Sequence, residues 1–598
     1  MSAFLAIGND TLGLPLPDIP HTVLVSLPTW NGVIGEAINQ AAMHNTNMTG
    51  YPRFSIHRSV QKLTDICQEK FGFDGERCLP FPTQRTAEDG KEFIHAQALR
   101  LGMSSEVRIV HFCPNPPRNT SSKSLGTDQS IKPELCPSPF AEVHIVFFNA
   151  GTYKFARQFW QNCGLGISSR YAEHCLSLLG IPEFLCIQRP ESLRCCGNPL
   201  STRFNGTFLN SQNESELAFS TGSDAKAALR QRIADFFVRN EPSLLNVSEE
   251  DVFLFPCGMS AIWNVHQLLM DMRPLEKSVI FGFCYDDTLQ VVERSGPGVI
   301  IYGHGRESDI DDLDHMLAEK QTECPSSPPI LALYTECPSN PLLRTVNFPR
   351  LRELADKYNF PIVIDETVGT FANVDVLPFA DIVITSLTKH VSGYPDVLGG
   401  SLVINPRMRY YSQLKSHLMS RYEDTYFDSD AIVMELNSRN FIKRMQIKNS
   451  NAEYICDFLR SRSVECGAPG ESIGSHVIKD VYYPKYVSRD NYEVCRRRLP
   501  TGELDKENGG YGGVFSLTFT SMKASEAFFD ALAVAKSTSF GMSFTMSLPY
   551  TMLVYYSDLE WASQYGADAT LVRVSVGTED KEDLLKIIET ALTAAELA

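Results

Sequence analysis

Lys389 follows two hydroxyl side chains at the end of an apolar run, in the sequence Ser386-Leu387-Thr388-Lys389. Hydroxyl groups suit phosphate oxygens, and a lysine amine beside a cofactor can lose its proton and become a nucleophile. In isolation such a sequence is more often a surface loop. Asp365 lies 24 residues earlier, one strand–crossover–strand step away, so both side chains can face the same crevice. The spacing therefore favours a site that joins a lysine amine, a carboxylate and a phosphate group.

Asp365 ends the apolar run of residues 362–364, at the sheet edge where open α/β proteins bind their ligands. A carboxylate there can keep a ring nitrogen protonated, although an aspartate that caps a helix has the same position. Gly258 heads a turn between the apolar run Val252–Phe255 and a predicted helix. Such a turn places backbone N–H groups at a helix N-terminus, where the dipole favours a phosphate, and an ordinary turn shows the same pattern. Together these elements suit the task of holding a phosphorylated, electron-withdrawing ring over a lysine amine.

Short apolar runs alternate with helical patterns from about residue 225 onwards. The runs lie at residues 252–255, 278–281, 330–334, 362–364, 382–384 and 401–404. They are apolar on both faces, as the strands of a parallel sheet are when helices cover both of its sides. We therefore predict an α/β fold whose large domain contains a mostly parallel sheet.

The two ends of the chain have different patterns from its middle. A long helical stretch is predicted over residues 430–460, and the runs at 514–519 and 571–576 alternate like half-exposed strands. We predict a smaller α+β domain there, with a sheet exposed on one side, so that Arg573 could simply be solvated. The first two hundred or so residues carry Pro- and Ser-rich connectors and no recognised catalytic motif, which indicates an accessory region. The predicted boundaries are 1–215 for the N-terminal accessory region, 216–455 for the large domain and 456–598 for the C-terminal small domain.

The composition argues against several classes of function. The 598 residues include 54 Lys+Arg and 71 Asp+Glu, a net charge of −17, whereas proteins that bind nucleic acid usually carry a basic stripe. No apolar run reaches the roughly 20 residues needed to cross a membrane, and the amino terminus lacks the basic region of a signal peptide. The 16 cysteines lack the regular spacing of a disulfide scaffold, so we expect free thiols in a cytoplasmic protein. No group of histidines and cysteines has zinc spacing, and we expect no metal site.

Five motifs stand in one order along the chain: Gly258-Met259-Ser260-Ala261, Glu336-Cys337-Pro338-Ser339-Asn340-Pro341-Leu342, Asp365-Glu366-Thr367, Ser386-Leu387-Thr388-Lys389 and Leu571-Val572-Arg573-Val574-Ser575-Val576-Gly577. In this order they resemble the cysteine/methionine-metabolism family of pyridoxal-phosphate (PLP) enzymes, over roughly residues 225–598. The resemblance is strongest to fungal-type cystathionine γ-synthases, which also carry a long amino-terminal extension with wording like Val25-Ser26-Leu27-Pro28-Thr29-Trp30. It implies the fold type I architecture of PLP-dependent transferases, which is similar to that of aspartate aminotransferase.

The resemblance implies a role for each motif in binding PLP. Lys389 would hold the cofactor and later shuttle protons, Asp365 would pair with the pyridinium nitrogen, and Tyr285 would stack on the ring unless it is a core aromatic. These three are therefore the expected catalytic residues. Asn340 would lie near the cofactor hydroxyl. The phosphate would be held by Gly258, Met259, Ser386 and Thr388.

By the same resemblance, Arg573 would clamp the α-carboxylate of the substrate, since an arginine fork suits a carboxylate, with Ser539 and Asn340 beside it. The resemblance also implies a homodimer or homotetramer with the active site at the subunit interface. The family usually presents a Tyr-x-Arg segment shortly before the Gly-Met turn, which reaches the neighbouring subunit's cofactor phosphate. This chain lacks it there: Tyr51-Pro52-Arg53 lies far upstream, and the segment Ser168-Ser169-Arg170-Tyr171 is the candidate substitute.

The implied activity is a PLP-dependent γ-replacement on O-acetyl-L-homoserine or a similar activated homoserine, whose Cγ is joined to a nucleophile. Cysteine, which gives cystathionine, ranks first among the nucleophiles. Residues 391–400, after the lysine, differ from the usual synthase wording, so sulfide and a carbon nucleophile such as a β-keto acid remain alternatives. Further alternatives are a β- or γ-lyase on cystathionine or methionine and a non-catalytic binding or scaffold protein. The expected partners are an amino-acid substrate and a small nucleophile, without nucleic acid or membrane.

Overall fold

The computed structural model describes residues 11–41, 55–114, 140–184, 219, 221–238, 245–464, 476–498 and 508–598. Within these residues the chain forms three sheets, of three, seven and five strands. They follow one another along the chain, so each of the three predicted regions contains one sheet.

The amino-terminal region contains a small antiparallel sheet. Its strands are β1 (Glu76–Phe81), β2 (Val107–Phe112) and β3 (Val143–Asn149). They are arranged in the order β1-β3-β2, so β3 is central and β2 lies at an edge. The helices of this region are α1 (Trp30–Ala41), α2 (Arg58–Phe71), α3 (Gln84–Arg100), α4 (Tyr153–Cys163) and α5 (Ser169–Leu178), with a 3₁₀ helix at Ala150–Thr152.

Helix α4 connects this region to the rest of the molecule. Its buried side chains include Phe155 and Phe159, and the ring of Phe159 packs edge-on against Trp263 with 5.4 Å between centroids. The helix ends at Gly164, whose φ of +61° is the left-handed conformation that glycine favours at this position. A Cβ atom at Gly164 would lie only 2.4 Å from Sγ of Cys257. The amino-terminal region therefore shares a hydrophobic core with the following part of the chain.

The central region is built on the seven-stranded sheet. The strands are β4 (Val252–Phe255), β5 (Ser278–Phe281), β6 (Val299–Tyr302), β7 (Leu333–Glu336), β8 (Ile362–Asp365), β9 (Ile382–Thr385) and β10 (Gly400–Ile404). The helices are α6 (Gly222–Asp235), α7 (Gly258–Met272), α8 (Asp286–Arg294), α9 (Glu307–Glu323), α10 (Phe348–Tyr358), α11 (Thr370–Asn373), α12 (Tyr411–Arg421), α13 (Asp428–Ser438) and α14 (Phe441–Ser461), with a 3₁₀ helix at Glu249–Asp251.

The order of this sheet is β4-β10-β9-β8-β7-β5-β6. The pairs β5–β6, β5–β7, β7–β8 and β8–β9 are parallel, whereas β10 runs antiparallel to both of its neighbours. The prediction of a mostly parallel sheet is confirmed. The run predicted at residues 330–334 is displaced, because the strand extends through the buried polar residues Thr335 and Glu336, which interrupt the apolar pattern.

The carboxyl-terminal region contains the five-stranded sheet, in the order β11-β12-β15-β14-β13. Its strands are β11 (Ile478–Tyr482), β12 (Val514–Phe519), β13 (Ala535–Lys536), β14 (Met546–Leu548) and β15 (Val572–Ser575). Its helices are α15 (Arg489–Cys495), α16 (Met522–Ala531), α17 (Tyr550–Val554), α18 (Leu559–Gln564) and α19 (Lys581–Glu596).

The prediction that this sheet is exposed on one side is wrong. Every residue of β12 and β15 is buried. The polar positions of the alternating pattern contact protein instead of water: Ser516, for example, donates a hydrogen bond to the carbonyl oxygen of Pro341 in the large domain over 2.8 Å. Arg573, which could have been solvated on a half-exposed strand, is only 3% exposed.

The single long helix predicted over residues 430–460 is two helices, α13 and α14. The chain leaves the helix between Ser438 and Phe441, where Asn440 has a φ of −97° and a ψ of 16°. The predicted boundary at residue 455 falls inside α14, and the one at residue 215 lies outside the described residues. The domain boundaries stay predictions.

Two other expectations concern the described residues as a whole. The cysteines among them are free thiols, although Sγ of Cys337 and Sγ of Cys495 lie 3.3 Å apart in the core. None of the described helices has the length and apolar character that crossing a membrane requires.

Candidate active site

A cavity of about 520 Å³ lies where all three regions meet. It brings together the predicted site residues Gly258, Met259, Tyr285, Asn340, Asp365, Ser386, Lys389, Ser539 and Arg573. Thr388 does not line the cavity. Its hydroxyl donates to the carbonyl oxygen of Gly399 over 3.2 Å and accepts from the N–H of Gly399 over 3.0 Å. Thr388 therefore joins the lysine loop to the residue that precedes β10.

Lys389 follows strand β9 in a tight turn, in which its N–H donates to the carbonyl oxygen of Ser386 over 3.3 Å. Its Nζ atom donates to Oγ of Ser539 over 2.7 Å and lies 5.2 Å from the centre of the Phe540 ring. Gly541 makes this approach possible, because its φ is +88° and a Cβ there would lie 2.7 Å from the N atom of His390. The small domain thus places the Ser539 hydroxyl within hydrogen-bond distance of the Lys389 amine.

Two carboxyl groups stand side by side at the ends of neighbouring strands, since Glu336 of β7 is in register with Asp365 of β8. Glu336 accepts hydrogen bonds from the N–H groups of Tyr285, over 2.7 Å, and Asn340, over 2.9 Å. Burial, and secondarily the charge of Asp365, raises the pKa of Glu336 to about 8. Loss of water also raises the pKa of Asp365, whose Oδ1 accepts from the N–H of Thr367 over 2.8 Å. The pair therefore favours a cationic group between or beside the two carboxyls.

Glu336 was missed as a site residue by sequence reasoning. It stands in one of the quoted motifs, and it ends its strand as Asp365 ends the next one. The position of both carboxyl residues at the end of a strand was the feature of the sequence that could have identified Glu336. Through its two backbone contacts Glu336 positions both Tyr285 and Asn340.

Tyr285 is half-buried in the cavity wall. Its hydroxyl donates to Oδ2 of Asp287 over 2.7 Å, and Oδ1 of Asp287 accepts from the side-chain amide of Gln161 over 3.4 Å. With its backbone held by Glu336, the ring is fixed at both ends and can form one wall for a flat ligand.

Arg573 projects from β15 into the cavity and is buried. Its Nη1 donates to Oδ1 of Asn340 and its Nη2 to the carbonyl oxygen of Ser539, each over 2.9 Å. The guanidinium carbon lies 5.1 Å from the centre of the Phe540 ring and 4.9 Å from that of Tyr550. Burial lowers the pKa of Arg573 to about 10, so the group is still charged at neutral pH. This arrangement suits an anionic carboxylate of a small ligand.

The first turn of α7 forms the remaining wall. The helix begins at Gly258, and a Cβ atom there would lie 2.7 Å from Cβ of Ser386. Only glycine lets the Ser386 turn approach the helix so closely. The Ser386 side chain consequently sits beside a helix N-terminus, a place that favours phosphate oxygens.

The amino-terminal region also contributes to the cavity, which corrects the interpretation of that region as an accessory without site residues. Glu36 of α1 lines the cavity, and so does a polar stripe of α4: Lys154, Arg157, Gln158 and Gln161. These four residues are spaced i, i+3, i+4 and i+7, on the face opposite the buried aromatic residues. That amphipathic spacing was a signal in the sequence, but it did not show which surface the polar stripe faces.

The proposed substitute for the Tyr-x-Arg segment is not brought to this cavity in its own chain. Nη1 of Arg170 donates to Oδ1 of Asp430 over 3.0 Å and to the carbonyl oxygen of Asp396 over 2.8 Å. Arg170 and Tyr171 line a different pocket. Tyr51-Pro52-Arg53 lies outside the described residues.

The residues present fit PLP. Asp365 and Glu336 are carboxyl groups buried side by side, and they would hold a protonated ring nitrogen if the cofactor were bound. The same cavity is lined by the Lys389 amine, by the aromatic ring of Tyr285 and by the helix N-terminus at Gly258. These groups match the aldehyde, the ring and the phosphate of the cofactor.

Comparison of the sequence with known proteins also points to a PLP-dependent enzyme. The family described as "Cys/Met metabolism PLP-dependent enzyme" matches residues 242–593, and the one described as "Fungal trans-sulfuration enzyme, N-terminal domain" matches residues 59–168. The chain is 42% identical to the cystathionine gamma-synthase-like enzyme iboG2 of Amanita muscaria, with 100% of this chain and 99% of that protein covered. It is 37% identical to the cystathionine gamma-synthase of Neurospora crassa, over 98% of each chain. A solved cystathionine gamma synthase from Xanthomonas oryzae is 21% identical with a TM-score of 0.49, covering 65% of this chain and 91% of that one.

The family match alone spans more than half of the chain, and the two relatives are aligned along nearly all of it. The cavity is lined by Lys389, by Asp365 and by Gly258, which begins α7. The chain therefore belongs to the Cys/Met metabolism family of PLP-dependent enzymes, and it is a cystathionine γ-synthase-like enzyme of fold type I.

Proposed function

We propose that the protein catalyses a γ-replacement on an activated homoserine, with O-acetyl-L-homoserine as the first candidate. The observation that carries this proposal is the placement of Lys389, Asp365 and Arg573 around one cavity. Bound PLP supplies an electron sink next to the substrate's Cα, which makes protons on Cα and Cβ removable. An amine that can move protons and a guanidinium that can hold the α-carboxylate complete the requirements for this reaction.

Lys389 moves the protons. Its side chain is flexible and half-buried, and the hydroxyl of Ser539 lies 2.7 Å from Nζ as a partner that steadies the amine. One mobile base can serve two neighbouring carbon atoms. Asp365 keeps the ring nitrogen protonated, and Arg573 orients the substrate by its carboxylate.

The second substrate binds, in this proposal, at the end of the cavity formed by helix α4. Lys154 and Arg157 of α4 and Arg294 of α8 line the cavity, and the carboxyl groups of Glu36, Asp286 and Asp287 line it too. We propose that the two cations of α4 bind a carboxylate of the nucleophile. Cysteine has one, and so has a β-keto acid, whereas sulfide has none. Cysteine therefore remains the first candidate, and sulfide becomes the weakest.

Two alternatives keep support. A β-keto acid as a carbon nucleophile fits the same cations, and the relative from Amanita muscaria is named only as synthase-like. A lyase acting on cystathionine would fill the α4 end with the distal carboxylate of its substrate, whereas methionine would leave that end without an anion.

Product identification by mass spectrometry tests the proposal. The holoenzyme is incubated with O-acetyl-L-homoserine and, separately, with cysteine, sulfide or a β-keto acid. Cystathionine formed with cysteine is the expected product, and exclusive turnover with the keto acid would replace our first choice by C–C bond formation. Ammonia and a 2-keto acid released without any nucleophile would identify a lyase. The variant Lys389→Ala should lose both turnover and the visible absorption of the bound cofactor, while the surface variant Lys91→Ala should keep both.

We also propose that the enzyme is a cytoplasmic homodimer or homotetramer, with residues of a neighbouring subunit near the cofactor phosphate. The family resemblance supports this proposal. Light scattering on the holoenzyme measures the oligomeric state, and a monomeric mass would contradict it.

A further inference from the structure

Four side chains that can bind a metal ion meet on one face of the amino-terminal sheet. His111 is in β2 and His144 is directly opposite in β3. Cys113 follows β2 and Glu142 precedes β3, so continuing the antiparallel register places these two opposite each other. The pairs His-x-Cys and Glu-x-His each contain residues two apart, which lie on the same face of a strand.

The burial of the neighbouring residues shows that these four side chains lie on the solvent-facing side of the sheet. Phe112 and Val143, the pair in between, are buried in the hydrophobic core. His111, Cys113 and Glu142 are exposed, and His144 is 8% exposed. The four side chains therefore stand on the outer face of the sheet, where an ion from solvent can reach them.

Three of the four side chains have ligand atoms within reach of one ion, and the fourth, Cys113, adjoins His111. One ligand atom each from His111, Glu142 and His144 lie within 4.8 Å of one another. Nε2 of His111 is 3.7 Å from Oε2 of Glu142 and 3.5 Å from Sγ of Cys113. With metal–ligand bonds of about 2.0 to 2.3 Å, tetrahedral ligand atoms are about 3.3 to 3.8 Å apart.

A simple ion pair does not explain this cluster. The pair His111–Glu142 accounts for two of the four groups, but a second imidazole is stacked on His111 with 4.8 Å between ring centroids and 17° between planes. The backbone of Glu142 is held from another element. Tyr171 of α5 donates to its carbonyl oxygen over 2.6 Å, and its N–H donates back to the Tyr171 hydroxyl over 3.2 Å. This contact holds the Glu142 backbone in place beside the two imidazoles.

We propose that His111, Cys113, Glu142 and His144 bind one Zn²⁺ ion per chain. Two imidazoles, a thiolate and a carboxylate are borderline-soft ligands that suit zinc, whereas Mg²⁺ and Ca²⁺ prefer sites made of oxygen atoms. As the zinc–sulfur bond forms, the Cys113 thiol releases its proton to solvent. The ion joins the edge strand β2 to the central strand β3 and is structural, because none of the four residues lines the active-site cavity.

Zinc titration of the metal-stripped full-length holoenzyme, with a chromophoric chelator as competitor, tests this site. One zinc ion per chain is expected for the unmodified protein. The surface variants Cys113→Ser, Glu142→Gln and His111→Ala should each lower the affinity at least about tenfold, since each removes a direct ligand. Saturating zinc should raise the melting temperature of the unmodified protein and not that of the variants.

Matched controls come from exposed residues elsewhere in the chain. Cys324 is an exposed cysteine and His315 an exposed histidine that pairs with Glu319 over 3.3 Å. Cys324→Ser and His315→Ala should bind zinc as the unmodified protein does. X-ray absorption at the zinc edge should show one sulfur ligand, which Cys113→Ser loses. The site is refuted if the unmodified protein takes up no zinc, if the three ligand variants bind it unchanged, or if the absorption spectrum shows no sulfur.

Discussion

The Nζ atom of Lys389 donates a hydrogen bond to Oγ of Ser539 over 2.7 Å. This bond links the loop after β9, in the large domain, to the segment before β14, in the small one. The carbonyl oxygen of the same Ser539 accepts from Arg573 over 2.9 Å. Lys389, the proposed base, and Arg573, the proposed carboxylate-binding group, thus both contact one residue, so a shift of the small domain moves both.

Replacing Ser539 by alanine should slow catalysis without removing the cofactor. The amine loses a partner that holds it in place, and a hydrogen bond contributes about 0.5 to 1.5 kcal/mol, so kcat should fall about two- to tenfold. Steady-state rates measure the change. Ser537→Ala is the control, since its buried hydroxyl has no partner among the described residues. Equal rates for the two variants would show that the contact does not serve the base.

Arg573→Lys should weaken binding of the amino-acid substrate. Lysine cannot reproduce the planar fork that contacts Asn340 and a carboxylate together, so kcat/KM for the activated homoserine should drop about a hundredfold. The visible absorption of the bound cofactor should persist, because Arg573 is assigned to the substrate. Loss of that absorption would show that Arg573 binds the cofactor instead of the substrate.

Arg157→Gln separates the two substrates. If the cations of α4 bind the nucleophile, KM for cysteine should rise about tenfold while KM for O-acetyl-L-homoserine stays the same. Initial rates with one substrate varied at a time give both constants. Arg100→Gln removes the same charge from an exposed position of α3 and should change neither. If only the KM for O-acetyl-L-homoserine rises, Arg157 binds that substrate and not the nucleophile.

Glu336 should make the stability of the apoenzyme depend on pH. Its folded pKa of about 8 lies above the ordinary value of 4.5. Between these values the folded state binds more protons than the unfolded state, so the contribution of Glu336 to stability is full below pH 4.5 and is lost as the pH rises towards 8.

Urea unfolding of the apoenzyme across this range measures the effect. The free energy of unfolding should fall less steeply with pH in Glu336→Gln than in the unmodified protein, by up to about 1.4 kcal/mol per pH unit. Glu319→Gln, at an exposed position, is the control. Parallel curves for the unmodified protein and Glu336→Gln would contradict the raised pKa.

Several parts of the site could be predicted because each rests on local sequence. Asp365 is the last residue of β8 and Lys389 lies four residues after β9 ends, and parallel strands place their carboxyl ends at one edge of the sheet. Gly258 is needed at a turn that admits no Cβ atom. The orientation of Thr388 depends on a residue eleven positions later, since its hydroxyl is bonded to Gly399, which precedes β10.

The sequence by itself determined that Lys389, Asp365 and the helix that begins at Gly258 lie near the ends of strands in a mostly parallel sheet, since strand ends and turns depend on nearby residues. Only the tertiary structure decided that Arg573 is buried, that Arg157 of α4 reaches the cavity, and that His111 meets His144. These contacts join residues distant along the chain. They depend on strand register and on a core shared between regions, which no short sequence pattern specifies.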